Sequence, residues 1–390
     1  MYRIYCRVYQ FFSRFAFAFA KRKQPKRIEN IKALVELFTE SGVRSALLAT
    51  EAEITGEGLH MGLVRSVKRA GIRCAIYGRT GPGPNGEGAN DAFEVYKKND
   101  CKAILAIGSG NTLALANEVA KRAAEWGRNT GAGDKKSGAE SGSPFIVYVP
   151  RLKSGSWTLA NAGPASRDAD YFMLYPRFAE SLQPIDAACA GMEALCLAIE
   201  AYLSGGVDGK TRREMVRAID MIHWNLCAAC FDPNDLVSRG KLQEAAYLAC
   251  AAFWRGRLGY AFAAADAVSS KYGVNRGMAC SVLIARTLSH YGARAEQMIA
   301  ELSVKTGITD KNELDCVKAE KYLIAIRRLA KKTGLPNHIA EIAGEDANAL
   351  ARTAADSINP RCFVPAVLTA EDIAAILREA SVKYEPAFHI

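Results

Sequence analysis

Three sets of residues in this chain have types and spacings that could do chemistry. Gly108-Ser109-Gly110-Asn111 follows the apolar run Ala103–Ile107. A glycine turn between a strand and a helix lets backbone N–H groups approach a phosphate at the positive end of the helix dipole. Asn111 is a residue type that caps helix starts. The spacing is Gly-x-Gly and lacks the third glycine of a dinucleotide fingerprint, so a plain tight turn stands beside the phosphate-binding reading. Glu51 ends another apolar run, where an acid could accept from a ribose 2′-hydroxyl and favour NAD over NADP. A solvated acid opening a loop is the equal alternative. Cys227 and Cys230 form a Cys-x-x-Cys, but no second pair exists for zinc and no strand–helix junction for redox work. Buried core thiols are the better reading. His60, His223, His290, His338 and His389 show no metal-ligand spacing, and convergence of His223 with His290 is the weaker option to surface or core positions.

These residues need elements to position them. Apolar periodicity predicts helices over Ile31–Ser41, Gly58–Ala70, Asp91–Lys98 and Asn111–Trp126. Strands are expected at Ser45–Thr50, Cys74–Tyr77, Ala103–Ile107 and Phe145–Val149. Such alternation implies a parallel sheet covered on both faces. Gly127–Ser143, rich in Gly, Ser, Asn and Lys, reads as a surface loop. After Pro184 the strand signals stop and long helical patterns follow: Asp186–Leu203, Thr211–Cys230, Arg239–Phe253, Leu258–Lys271 and Met278–Ser289 among them. The expected organisation is a basic, aromatic segment over 1–28, an α/β nucleotide-binding-like domain over 29–183, and an all-helical domain over 184–390.

At 390 residues the chain is long enough for two cores, and 49% hydrophobic with 24% charged residues is the composition of a globular protein. The net charge of +10 is concentrated at one end. Arg3, Arg7, Arg14, Lys21, Arg22, Lys23, Lys26 and Arg27 precede the first acid, Glu29, so the body needs no basic face and nucleic-acid binding is not expected. In that segment Phe15, Phe17 and Phe19 alternate with alanine, which suits an edge strand. An interfacial or targeting segment and a misplaced start are the alternatives, and Arg7 and Arg14 interrupt the apolar region a cleavable signal needs. No stretch approaches the roughly 20 apolar residues that span a bilayer. The eleven scattered cysteines favour a reducing compartment, so a cytoplasmic location is expected.

The segment from Leu182-Gln183-Pro184 through Gly191-Met192-Glu193-Ala194-Leu195-Cys196-Leu197-Ala198-Ile199-Glu200-Ala201 resembles the signature of iron-type alcohol dehydrogenases, Gly-Met-Asp-Ala-Leu-x-His-Ala-Ile-Glu-Ala. Gly108–Asn117, Pro150–Thr158, Leu258–Gly277, Gly334-Leu335-Pro336 and Asn359-Pro360-Arg361 fall in the order of that family's other landmarks. The resemblance spans roughly residues 40 to 385. It implies a Rossmann-like α/β domain followed by an all-α domain, the dehydroquinate synthase-like fold, with NAD as cofactor and a homo-oligomeric assembly. The implied cofactor-binding residues are Glu51, Gly108, Ser109, Gly110, Asn111, Ser154 and Ser156. Arg151 and Lys153 stand where the family has threonines and could attract phosphate.

The same resemblance places four metal-ligand positions at Glu193, Leu197, Phe262 and Arg276, and a proton-transfer histidine position at Asp266. Leucine and phenylalanine carry no donor lone pair and a guanidinium repels a metal cation, so no metal is expected. Arg276 is expected to bridge Glu193, Asp266 or both, standing where the metal would, with Leu197 and Phe262 filling the remaining space. Three functions stay open. The chain could keep nucleotide binding without hydride transfer, act as an oxidoreductase with Arg276 as the electrophilic charge and Asp266 moving the proton, or serve as a non-catalytic oligomeric scaffold.

Overall fold

The computed structural model describes residues 1–19, 25–80, 86–130, 143–151, 169–179, 182–256 and 259–382. The chain forms two compact units, Arg22–Ser181 and Met1–Lys21 together with Leu182–Ile390.

The first unit is a six-stranded sheet in the order β1-β6-β5-β4-β2-β3, every pair parallel. The strands are β1 (Lys26–Ile28), β2 (Ser45–Glu51), β3 (Arg73–Thr80), β4 (Ala103–Gly108), β5 (Phe145–Pro150) and β6 (Tyr171–Met173). Its helices are α2 (Ile31–Glu40), α3 (Ala52–Gly56), α4 (Met61–Arg69), α5 (Gly86–Lys98) and α6 (Gly110–Thr130). Every residue of β4 and β5 is buried, as strands covered on both faces must be. Alternate side chains separate cleanly. Leu48, Leu105, Ile107 and Val147 pack with Leu34, Phe38, Leu63 and Val67 on one face. Leu47, Ile104, Ala106 and Ile146 pack with Ala92, Tyr96, Leu113 and Val119 on the other.

The expected α/β architecture is thus found, with local differences. β1 and β6 are three residues each, too short to leave a period in the sequence, so Ser45–Glu51 is the second strand in chain order, and Lys26–Ile28, from the basic segment, forms one edge of the sheet. The expected helix over Gly58–Ala70 starts only at Met61, because Gly58 takes φ +69°, the left-handed conformation that ends the preceding turn. α6 runs through Gly127 to Thr130, where a loop was expected; residues 131–142 lie outside the described residues.

The second unit is helical: α1 (Tyr2–Phe19), α7 (Pro184–Leu203), α8 (Gly209–Phe231), α9 (Leu236–Gly256), α10 (Tyr260–Tyr272), α11 (Arg276–Tyr291), α12 (Ala293–Lys305), α13 (Asp315–Lys332), α14 (Ala347–Ile358) and α15 (Ala370–Ser381). α7 is the central helix, buried on every side from Ala187 to Leu203. Residues 2–19 are helical, not the expected strand. The phenylalanine–alanine alternation covers only the end of the segment, whereas Cys6 and Gln10, one turn apart, are both buried against the body. The surface they meet, around Cys362–Pro365, offers carbonyls to side chains and no sheet edge to a strand. All eleven cysteines are free, and Cys230 is buried. No helix among the described residues is long and apolar enough to cross a membrane.

Candidate functional site

Two places carry the residues singled out by type and spacing, one in each unit. In the sheet unit the turn after β4 takes a conformation only glycine holds comfortably, Gly108 at φ +142°. A Cβ there would meet Thr112 Oγ1 at 2.7 Å and Glu51 Oε1 at 2.9 Å. α6 begins at Gly110, and the carbonyl of Ser109 accepts from the amides of Thr112 and Leu113 at 3.0 and 3.3 Å. The flanking residue is therefore Ser109, and Asn111 sits inside the first turn instead of capping it.

Glu51 is neither a freely solvated acid nor remote from this turn. Its Oε1 accepts from the Ser109 amide at 2.7 Å and lies 3.4 Å from Thr112 Oγ1. The carboxylate thus faces the positive end of α6. The Gly108 carbonyl is held by the Tyr148 hydroxyl at 3.0 Å and the Arg151 amide at 3.1 Å. The Arg151 side chain, 4% exposed, donates to Glu53 at 2.9 Å and lies 3.5 Å from Glu57. Two carboxylates, in α3 and just after it, thus face the guanidinium that was expected to attract phosphate. Lys153, Ser154 and Ser156 lie outside the described residues.

In the helical unit the start of α11 is pressed against α7. A Cβ on Gly277 would lie 2.0 Å from the Cys189 carbonyl oxygen, so the two backbones touch at a glycine. Asn275 caps α11, its side chain accepting from the Gly277 amide. Arg276, the first helical residue, is thereby delivered to the middle of α7. Its Nε and Nη2 donate to Glu193 Oε1 at 3.2 and 3.0 Å, and Nη1 donates to Asp266 Oδ1 at 2.7 Å. The guanidinium lies over the Phe262 ring, 5.0 Å from its centroid. Glu193 is 1% exposed and Leu197, one turn further along α7, is buried. Burial disfavours the charged guanidinium, but Glu193 first and Asp266 next outweigh it, and the pKa of Arg276 is raised.

The neighbouring sulfurs do not complete a donor set. Burial pushes the Cys189 thiol up to about 12 and holds Cys250 well above its usual value, and it raises Cys280 too. Thiolate is the metal-binding form. Among the described residues no group of three or more His, Cys, Asp or Glu could hold a metal ion. His223 pairs with Tyr322 and His290 with the Arg286 carbonyl and Glu379, so the histidines have separate partners.

A second buried acid on α7 was not read from the sequence. Glu200, 5% exposed, accepts from the amides of Gly259, Ala261 and Phe262 at 3.2, 2.8 and 3.3 Å. It satisfies the free N–H groups that open α10, the helix bearing Phe262 and Asp266. Burial pushes its carboxyl up to about 7 against the downward pull of those three bonds. The signal was present in the signature segment, but a buried glutamate whose partners are all backbone leaves no paired charge in the sequence.

Comparison with known proteins follows these two places. A model of the iron-containing alcohol dehydrogenases matches residues 26–157, and the C-terminal model of the Fe-containing alcohol dehydrogenase family matches residues 187–381. NAD-dependent methanol dehydrogenase of Bacillus methanolicus is 25% identical over 369 residues, covering 90% of this chain and 96% of that protein. 1,3-propanediol dehydrogenase of Klebsiella pneumoniae is 26% identical over 378 residues, covering 87% and 92%. Among solved structures, 1,3-propanediol oxidoreductase superposes with a TM-score of 0.77 at 22% identity, over 91% of this chain and 98% of that one. Sulfoacetaldehyde reductase from Bifidobacterium kashiwanohense, in complex with NAD+, gives 0.75 at 16% identity, over 92% and 98%. At these identities the superpositions speak for the fold alone.

Proposed function

Because the chain belongs to the iron-containing alcohol dehydrogenase family, we propose that it is a member that binds a nicotinamide dinucleotide but holds no metal and does not run the family's metal-assisted hydride transfer. The observation that carries this reading is the Arg276 guanidinium bonded to both Glu193 and Asp266. In the family's chemistry a divalent cation polarises the substrate oxygen and stabilises alkoxide character as hydride moves. The side chains at the corresponding positions are one carboxylate, two hydrocarbons and the guanidinium, a donor set that does not fit such an ion. Nor does Arg276 replace its electrophilic charge. Its two donor edges are taken by carboxylates, and the trio sums to a formal charge of −1, which disfavours a developing alkoxide.

NAD is the proposed nucleotide: Glu51, held at the turn after β4 by the Ser109 amide, would accept from a ribose hydroxyl and repel a 2′-phosphate. One relative is named NAD-dependent and one structural neighbour holds NAD+, which supports the same choice. A homo-oligomer is proposed on the family resemblance, and a reducing, cytoplasmic setting on the eleven free cysteines. A second reading is favoured by one observation: the Asp266 side chain is 45% exposed beside Arg276. It could then move a proton in a metal-independent reduction.

The test is calorimetric titration of the purified chain with NADH, with elemental analysis of the same sample and an alcohol and aldehyde turnover screen. NADH binding without stoichiometric iron or zinc and without turnover is expected. One bound iron or zinc per chain defeats the proposal, and turnover without metal transfers it to the second reading.

A further inference from the structure

α1 takes no part in either place described above, and both family matches begin after it, at residues 26 and 187. It nevertheless belongs to the helical unit. Of residues 1–13 only Cys6 and Gln10 are buried, whereas α7 is buried throughout from Ala187 to Leu203. Polar side chains do most of the holding. Gln10 donates to the Cys362 carbonyl at 2.6 Å, and Arg7 donates to the carbonyls of Val364 at 2.9 Å and of Pro365. Arg3 reaches Asp372 at 2.7 Å, in the capping box of α15. Arg3, Cys6, Arg7 and Gln10 are spaced to share one face of the helix.

The segment that α1 grips, residues 359–369, joins α14 to α15 and leads into the Arg276 centre. Asn359 and Leu368 close a ring with Tyr260, all three buried. The Tyr260 hydroxyl donates to Asn359 Oδ1 at 2.6 Å and accepts from the Leu368 amide at 3.1 Å, and Asn359 Nδ2 donates to the Leu368 carbonyl at 2.9 Å. Burial raises the pKa of the Tyr260 phenol, Leu368 and Asn359 pull it down, and Cys6 of α1 is among the groups that push it up. Tyr260 is the first residue of α10, whose opening amides are held by Glu200. Further along that helix Phe262 lies against the Arg276 guanidinium and Asp266 accepts from it. α10 is thus anchored at its start twice, by Glu200 and by the phenol, and the second anchor runs through the segment beneath α1. Glu193, the other acid on Arg276, is carried by α7.

We propose that α1 is a strap. Docked, it holds residues 359–369 on Tyr260; released, it frees the first turn of α10 and with it the Asp266 side of the Arg276 centre, while Glu193 stays in place. An element held by few buried apolar contacts opens more readily than a core helix, so α1 lets go before α7 or α11 does. The strap needs neither a nucleotide nor a metal, and it operates whichever activity the Arg276 centre has.

The test is amide hydrogen exchange of the full chain, read by the masses of its peptides. Arg7→Ala with Gln10→Ala removes the bonds to the carbonyls of Cys362, Val364 and Pro365. Residues 259–266 and the Leu368 amide are expected to exchange at least about tenfold faster than in the wild type, with residues 189–197 and 277–284 within about twofold of it. In a Tyr260→Phe background the same pair of changes should leave 259–266 unaltered, because the phenol that transmits the release is gone. Should the paired variant fold poorly, Arg3→Gln with Arg7→Gln loosens the same face more gently, and 259–266 is again compared with 189–197. Exchange that is unchanged, or faster only in residues 1–19 and 362–365, overturns the proposal and leaves α1 as a coat on the surface. So does uniform acceleration of the whole helical unit, which would make α1 part of one indivisible core. A response of α10 that persists in the Tyr260→Phe background overturns it too.

Discussion

Glu193 and Glu200 lie two turns apart on α7, both buried, and the molecule compensates them by different means. Glu200 is met by backbone alone, three amides at the start of α10. Glu193 is met by a side chain, the guanidinium that opens α11. An acid compensated by backbone depends on the fold and survives any change of neighbouring side chains. An acid compensated by a cation depends on that cation's identity. By the resemblance, Glu200 falls where the family signature has Glu, and Glu193, Leu197, Phe262 and Arg276 fall at its Asp and the partner ligands, as the proposed reading has it. On that reading, divergence has fallen on the compensation that side chains supply.

The difference can be broken most sharply at Arg276. Arg276→Ala strands a buried carboxylate and should destabilise the chain by about 3–5 kcal/mol, read from denaturant unfolding. The paired change Glu193→Leu with Arg276→Met should lose far less than either single change, because the carboxylate it leaves without Arg276 is that of Asp266, 45% exposed, and no buried charge is stranded. A double variant as unstable as Arg276→Ala would mean that packing, not charge, holds this place together.

Glu200 should declare itself through pH. Its carboxyl titrates near 4.5 when unfolded and at about 7 when folded. The folded state keeps a proton that the unfolded state has lost, so this contribution is full below the unfolded value and is lost as pH rises through about 7. Across that window the wild type should lose roughly 3 kcal/mol relative to Glu200→Gln, measured as the difference between their unfolding free energies. Parallel curves for the two proteins would show that Glu200 is not the titrating group.

Next in size is Gly277→Ala, whose added Cβ falls 2.0 Å from the Cys189 carbonyl oxygen. Backbone must move, at about 1–3 kcal/mol, and the Arg276–Glu193 contact should loosen with it. A melting curve identical to wild type would show that α11 can shift without consequence. The smallest effect concerns a third carboxylate, Glu51, half-buried and bonded to the Ser109 amide. Glu51→Gln removes the charge opposing a 2′-phosphate and should narrow any preference for NADH over NADPH by up to about tenfold, about 1.4 kcal/mol. An unchanged ratio in a fluorescence competition would leave Glu51 as a cap on the glycine turn and nothing more.

Much of this was legible in the chain because it is local. Ala103–Ile107 is continuously apolar and ends in glycine, so strand, turn and helix follow from neighbours alone. The bridging role of Arg276 was legible for another reason: the resemblance sets this guanidinium beside two acids, its natural partners. What was not legible depends on distant partners or on very short elements. β1 and β6 are too short to show a period. The start of the chain reads as a strand from Phe15, Phe17 and Phe19, yet its helix is anchored by Gln10 and Arg7 on carbonyls more than three hundred residues away. Glu51 finds its amide across the sheet, where β2 and β4 lie side by side. No pattern within either strand announces that meeting.

Arg276 also changes when the helical unit can become whole. An ion must be acquired from the surroundings, and a protein stabilised by one is tied to its free concentration and dissociation constant. A guanidinium on the first residue of α11 arrives with the helix itself. It has no free pool and cannot be stripped by a chelator or replaced by a competing ion. On the proposed metal-free reading, completion of this centre is thereby a matter of translation, not of supply.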